Sequence, residues 1–234
     1  MYRGAEPNPL PTTPGELSPL TVRYRPVGRL AQLVAGLSLY GLSMAMMLRA
    51  RLGVDPWDVL HQGLAGRTGA NFGWVVAVVG ALALLAWIPL RQRPGIGTVA
   101  NVVVVAVAVE LGLAAIPPVE SWYVRVPLLL SGVVLNGFAT ACYVGVRLGP
   151  GPRDGLMTGL HARTGWSVRL VRTGIEVAVL ATGWALGGNV GLGTVLYAVS
   201  IGPLAQFFLP ALTHREPTAP TDRDVAVGGP GRGV

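Results

Sequence analysis

Six apolar runs, at residues 30–48, 72–90, 98–116, 126–146, 168–186 and 194–212, limit what this chain can fold into more than any other feature. A hydrocarbon core about 30 Å thick is crossed by roughly 20 helical residues at about 1.5 Å each, so the runs predict a polytopic all-α bundle of six transmembrane helices. Their abundant Gly, Ala, Ser and Thr suit helices that pack closely in lipid. Trp74, Trp87, Trp122, Tyr123 and Trp166 fall near the ends of the runs, where an aromatic belt places them. Charged residues make up only 12% of the chain against 51% hydrophobic, far from the quarter usual in a water-soluble domain.

The net charge of +7 comes from arginine alone, since the chain has no lysine. These arginines lie near the ends of apolar runs and form no basic stripe interleaved with aromatics, so they signal membrane topology and not nucleic-acid binding. Cys142 is the only cysteine, which excludes an intrachain disulfide and a thiolate metal cluster. The proline-rich stretch 1–29 reads as a disordered cytoplasmic tail ahead of a retained first span, and 213–234 as a second such tail.

Two connections, 49–71 and 147–167, are longer and more patterned than simple loops. In the first, Asp55 is placed as a helix N-cap, Pro56 as the first helical residue and Asp58 in the first turn. Gly151, Pro152 and Asp154 take the same places in the second. Glycines at 66, 69 and 165 stop both helices after about ten residues, too short to cross a bilayer. Both are expected to be re-entrant or interfacial.

These resemblances belong to a longer repeat. The chain matches itself without gaps at an offset of 96 residues, from Gly36 on Gly132 to about Val103 on Val199. Arg51, Leu52, Gly53, Pro56, Asp58, Gly63 and Arg67 recur as Arg147, Leu148, Gly149, Pro152, Asp154, Gly159 and Arg163. The copies are expected at 30–116 and 126–212, each with three spans, an odd number that inverts the second copy in the membrane. Charge agrees: Arg91 and Arg93 fill a loop whose counterpart, 187–193, is uncharged, and the arginine-bearing tails place both termini in the cytoplasm. Arg49, Arg51 and Arg67 would then face outward unless the protein buries them. A pseudo-two-fold axis is expected to bring the two short helices together, with Gly63 and Gly159 permitting the approach and Pro56 and Pro152 starting the paired helices. Transporters with inverted repeats aim interrupted helices at a central site in this way.

The stretches Leu52-Gly-Val-Asp-Pro-Trp-Asp-Val-Leu-His-Gln-Gly-Leu, Arg93-Pro-Gly-Ile-Gly-Thr, Leu148-Gly-Pro-Gly-Pro-Arg-Asp-Gly-Leu-Met-Thr-Gly-Leu and Ile201-Gly-Pro-Leu resemble the YczE/YyaS/YitT family of bacterial integral membrane proteins, specifically its YczE-like branch. The resemblance covers roughly residues 30–212 and implies a multi-spanning membrane protein. It brings no catalytic residue with it.

Ionisable residues inside a membrane are costly and point to function. Arg172 and Glu176 are spaced to pair on one face of the fifth span. Glu110 lies deep in an apolar run without a cation of its own, so it must protonate, reach water or find an arginine such as Arg172. Gln206 is its counterpart in the second copy. Together with Asp58 and Asp154 these residues are the expected substrate-binding or gating set. The bland alternative is that they only hold helices together: Asp58 and Asp154 as caps, Arg172 and Glu176 as a self-satisfied pair, Asn101, Asn136 and Gln206 as ordinary interhelical partners. His61 and His161 lack ligand-spaced companions, so no metal site is expected, and no motif calls for a cofactor or an enzymatic reaction. The expectation is a small-solute or ion transporter of the cell membrane. The rival is a membrane protein that supports a partner. The bilayer is its surrounding, a small solute or ion its cargo, and a homo-oligomer or membrane partner is left open.

Overall fold

The computed structural model describes residues 26–214, and no strand occurs among them. Of the expected tails at 1–29 and 213–234, residues 1–25 and 215–234 lie outside the described residues. The helices are α1 (Pro26–Ala50), α2 (Pro56–Thr68), α3 (Phe72–Leu90), α4 (Ile96–Ala115), α5 (Trp122–Gly145), α6 (Pro152–Thr164), α7 (Val168–Ala185) and α8 (Leu192–Leu212). Among them α1, α3, α4, α5 and α8 are long and apolar enough to cross a membrane. The 18-residue α7 carries Arg169, Arg172 and Glu176 and is correspondingly less apolar than its counterpart α3. Residues 26–29, expected in the tail, are already helical in α1.

Local chemistry sets the breaks between helices, and it does so twice. Backbone φ is positive at Arg51 and Arg147 (both 54°), Gly53 and Gly149 (108° and 129°), Gly69 and Gly165 (69° and 71°), and Arg91 and Gly187 (54° and 99°). Each pair is separated by the 96-residue offset. Left-handed residues end helices by turning the chain out of the hydrogen-bond ladder, and the N–H of Gly69 and of Gly165 closes its helix on Ala65 and His161 at 2.9 Å. Gly53 and Gly149 also sit where a side chain would strike backbone or Thr side-chain atoms of the other copy at 2.7–3.0 Å.

α1 and α5 pack together at the centre, with α4 against α1 and α8 against α5. Close approach needs Gly41, whose missing side chain leaves room for Val105 and Val109 of α4, and its counterpart Gly137, which does the same for Leu204 of α8. Two arginines tie the ends. Arg29 Nε donates to Val146 O at 2.9 Å and Nη2 to Arg147 O at 3.3 Å, while Arg125 donates to Ala50 O and Arg51 O, both at 2.7 Å. An arginine near the start of each central helix thus satisfies orphan carbonyls at the end of the other, so α1 and α5 run antiparallel.

The two copies also exchange their second and third helices: α2 lies on α7, and α6 on α3. Their loops are stitched the same way, Gly97 N–H donating to Leu148 O at 3.0 Å and Gly193 N–H to Leu52 O at 2.8 Å. The core formed by Leu33, Leu37, Met44, Met47, Val105 and Val109 is apolar, but the outside is apolar as well. Ile88, Leu111 and Phe207 are 71%, 65% and 76% exposed, a surface suited to lipid and not to water.

Candidate functional site

A cavity of about 270 Å³ opens between the copies where the N-termini of α2 and α6 converge. Asp55 and Pro56 border it from one side, Gly151 and Pro152 from the other. Asp55 is the N-cap of α2, its Oδ1 accepting from Asp58 N at 2.8 Å. The remaining walls come from α1, α3, α4, α5, α7 and α8, and include Tyr40, Tyr143 and Tyr197.

Charge in the site is organised around Arg153. Its Nη1 is 3.3 Å from Asp55 Oδ2, its Nη2 is 3.8 Å from Asp58 Oδ1, and its guanidinium lies over the Trp57 ring at 5.0 Å. Asp58 is fully buried behind the cavity wall, where its Oδ1 also meets His61 Nδ1 at 3.0 Å and its Oδ2 has no hydrogen-bond partner. Burial pushes the Asp58 carboxyl up to about 6, against the pull of Arg153. Burial, aided by Arg153, drives the His61 imidazole down to about 3, so the neutral ring donates its Nδ1 proton to the carboxylate. Asp55 and Asp154 are also raised by burial, with neighbouring arginines opposing the rise.

The structure gathers most of the expected residues here. Asp154, Arg172, Glu176 and Gln206 line the cavity, and Arg172 Nε donates to Glu176 Oε1 at 2.9 Å. Asp58 stands one layer behind them. Glu110 is absent from the lining: instead of finding Arg172, it accepts from Gly73 N at 2.6 Å. The exposed amides and positive dipole at the start of α3 satisfy this carboxylate, which corrects the expectation that it joins the site. The short helices also meet differently from expectation. Gly63 faces Gly183 and Leu186 at the end of α7, and Gly159 faces Leu90 and Gln92 at the end of α3. The glycine faces are thus occupied by the third helix of the opposite copy, and the helix N-termini converge instead.

Arg153, Trp57 and the tyrosines were missed as site residues. A search for identities between the copies passes over them, because Arg153 is the counterpart of Trp57, Tyr40 of Asn136, and Tyr197 of Asn101. The useful signal was the reverse, polar residues that differ between otherwise matching segments. Of the lone amides, Asn136 does serve packing, donating to Ser43 Oγ at 2.8 Å and accepting from Tyr197 at 3.1 Å. Asn101 and Gln206 face the cavity.

An apolar exterior around several membrane-length helices defines a multi-pass integral membrane protein. The chain belongs to the family of unknown function DUF6198, whose model matches residues 27–210. It is similar to an uncharacterized protein of Haemophilus influenzae, 39% identical over 81% of this chain and 85% of that protein. The uncharacterized membrane protein YczE of Bacillus subtilis is 33% identical over 75% of this chain and 83% of its own length. YyaS of the same organism is 24% identical over 75% of this chain and 89% of its own, in keeping with the resemblance read from the motifs. No solved structure matches the chain.

Proposed function

We propose that the protein is a small-solute permease of the cell membrane whose binding chamber is the cavity between the short helices. The observation that carries this reading is a charged chamber in the interior of an apolar bundle, at the junction of two repeat copies and bordered by both short-helix N-termini. Secondary transporters built from inverted repeats place their sites at that junction. The antiparallel α1 and α5 support an inverted second copy, with α7 as its middle crossing and the short helices re-entrant. Both termini are then cytoplasmic.

One asymmetry suggests how the chamber is reached. α3 packs along α4, whereas their counterparts α7 and α8 do not pack along one another. Gly80 on α3 lets Val102 of α4 come within 3.2 Å of where its side chain would be. The equivalent residue on α7 is Glu176, and Arg172 replaces Val76 one turn earlier. The charged pair keeps α7 and α8 apart. Exchanging the two arrangements, so that α7 closes on α8 while α3 leaves α4, gives access from the other side.

A flux screen in proteoliposomes tests the reading. Wild type is expected to move at least one small solute faster than protein-free liposomes, Asp154→Asn and Arg172→Ala to lose most of that flux, and Glu110→Gln, outside the chamber, to retain it. Background flux for every solute overturns the permease.

A further inference from the structure

The charges around the chamber do not balance. Asp55, Asp154 and Glu176 line it and Asp58 stands behind Asp55, facing only Arg153 and Arg172. Four carboxylates against two guanidiniums leave the ionised site with an excess of two negative charges. Both guanidiniums are already engaged by carboxylates of the site. Arg153 is held by two carboxylates with Trp57 against its face, and Arg172 is bonded to Glu176. By contrast, Asp154 lines the cavity with no ion-pair partner within 4 Å among the described residues, Arg172 and Arg153 acting on it only from further away. The helix ends do not restore an anion site, since Asp55 caps α2 and Asp154 occupies the first turn of α6.

Size and wall chemistry narrow the ligand. A cavity of about 150 Å³ holds benzene, and this one is about 270 Å³. A bare inorganic ion leaves most of it unfilled, and the described residues contain no group of three or more metal-binding side chains. Calcium takes six to eight oxygen ligands, and magnesium six in near-ideal octahedral geometry. Tyr40, Tyr143 and Tyr197 supply aromatic surface, which attracts alkylammonium groups.

Resting on the permease reading, we propose that the chamber takes a small organic cation, its ammonium held by Asp154 and its apolar part against the tyrosine-lined wall. Calorimetric titration of the full-length protein in lipid nanodiscs tests this without requiring transport. The cation probes are ethylammonium, tert-butylammonium and tetraethylammonium. Pivalate and tert-butanol are the matched anion and neutral, and sodium chloride is the inorganic control. Saturable binding of at least one organic cation, none of pivalate, tert-butanol or sodium, and at least tenfold weaker binding in Asp154→Asn are expected.

Failure of every organic cation to bind overturns the proposal, as does binding of pivalate, tert-butanol or sodium, or a loss below tenfold in a folded Asp154→Asn. If that variant does not fold, discrimination between tert-butylammonium and pivalate by wild type decides alone. Cation binding without flux sinks the permease and keeps the ligand class; flux confined to anions or neutral solutes does the opposite.

Discussion

Arg153 and Trp57 stand at equivalent places in the two copies, yet they form one unit, the guanidinium stacked on the ring and tethered to Asp55 and Asp58. This arrangement fixes opposing responses to acid. A raised carboxyl contributes stability that is complete below its unfolded value and lost as pH rises through its folded one, here from 3.8 to about 6 for Asp58. His61 is depressed from 6.5 to about 3, so its contribution is present above 6.5 and lost as pH falls. Melting in detergent between pH 6.5 and 4.5 should therefore separate the two residues. Relative to wild type, Asp58→Asn should lose stability more steeply on acidification, and His61→Gln less steeply. Parallel slopes in the two variants contradict the arrangement. At this scale Asp154, Arg172, Glu176 and Gln206 were legible in the sequence, because polar groups beside apolar runs are costly to bury. The same cost argument misplaced Glu110, since a helix N-terminus on a neighbouring span leaves no mark in its own segment.

Between elements, the copies trade large and small residues. Trp87 of α3 lies over Gly155 of α6, its Nε1 donating to Pro152 O at 3.0 Å, while the equivalent contact sets Gly183 of α7 against Val59 of α2. A methyl group on Gly155 meets the indole at 1.9 Å. Overfilling a packed contact costs about 1–3 kcal/mol, and Gly155→Ala should lower stability by about that much in denaturant or thermal titration. An unchanged midpoint shows that α6 is not locked on α3 through this contact. Helix starts were readable from Asp55, Pro56 and Pro152 and helix stops from Gly69 and Gly165, because caps are chemistry between near neighbours. The third-helix exchange was not, since it depends on which small residue of one copy accommodates a large residue of the other.

For the whole molecule, the 96-residue repeat held most of the legible information. It gave the spans and short helices at corresponding positions, and the reciprocal arginine ties and loop bonds extend the same correspondence into three dimensions. The chamber itself was less visible, because it depends on departures from the repeat: Arg153 for Trp57, Glu176 for Gly80, Arg172 for Val76. In the permease reading, those departures hold α7 away from α8 while α3 stays closed on α4. The central claim is that transport requires the two sides to exchange these arrangements. It is tested most directly by locking one of them. A side chain at position 80 would place its Cβ 3.7 Å from that of Val102, within the range a disulfide spans. In a background with Cys142 replaced by alanine, Gly80→Cys with Val102→Cys should cross-link fully on oxidation. Flux of the solute found in the screen should fall below about a tenth of its reduced value and recover with reductant; unchanged flux through fully cross-linked protein contradicts the account.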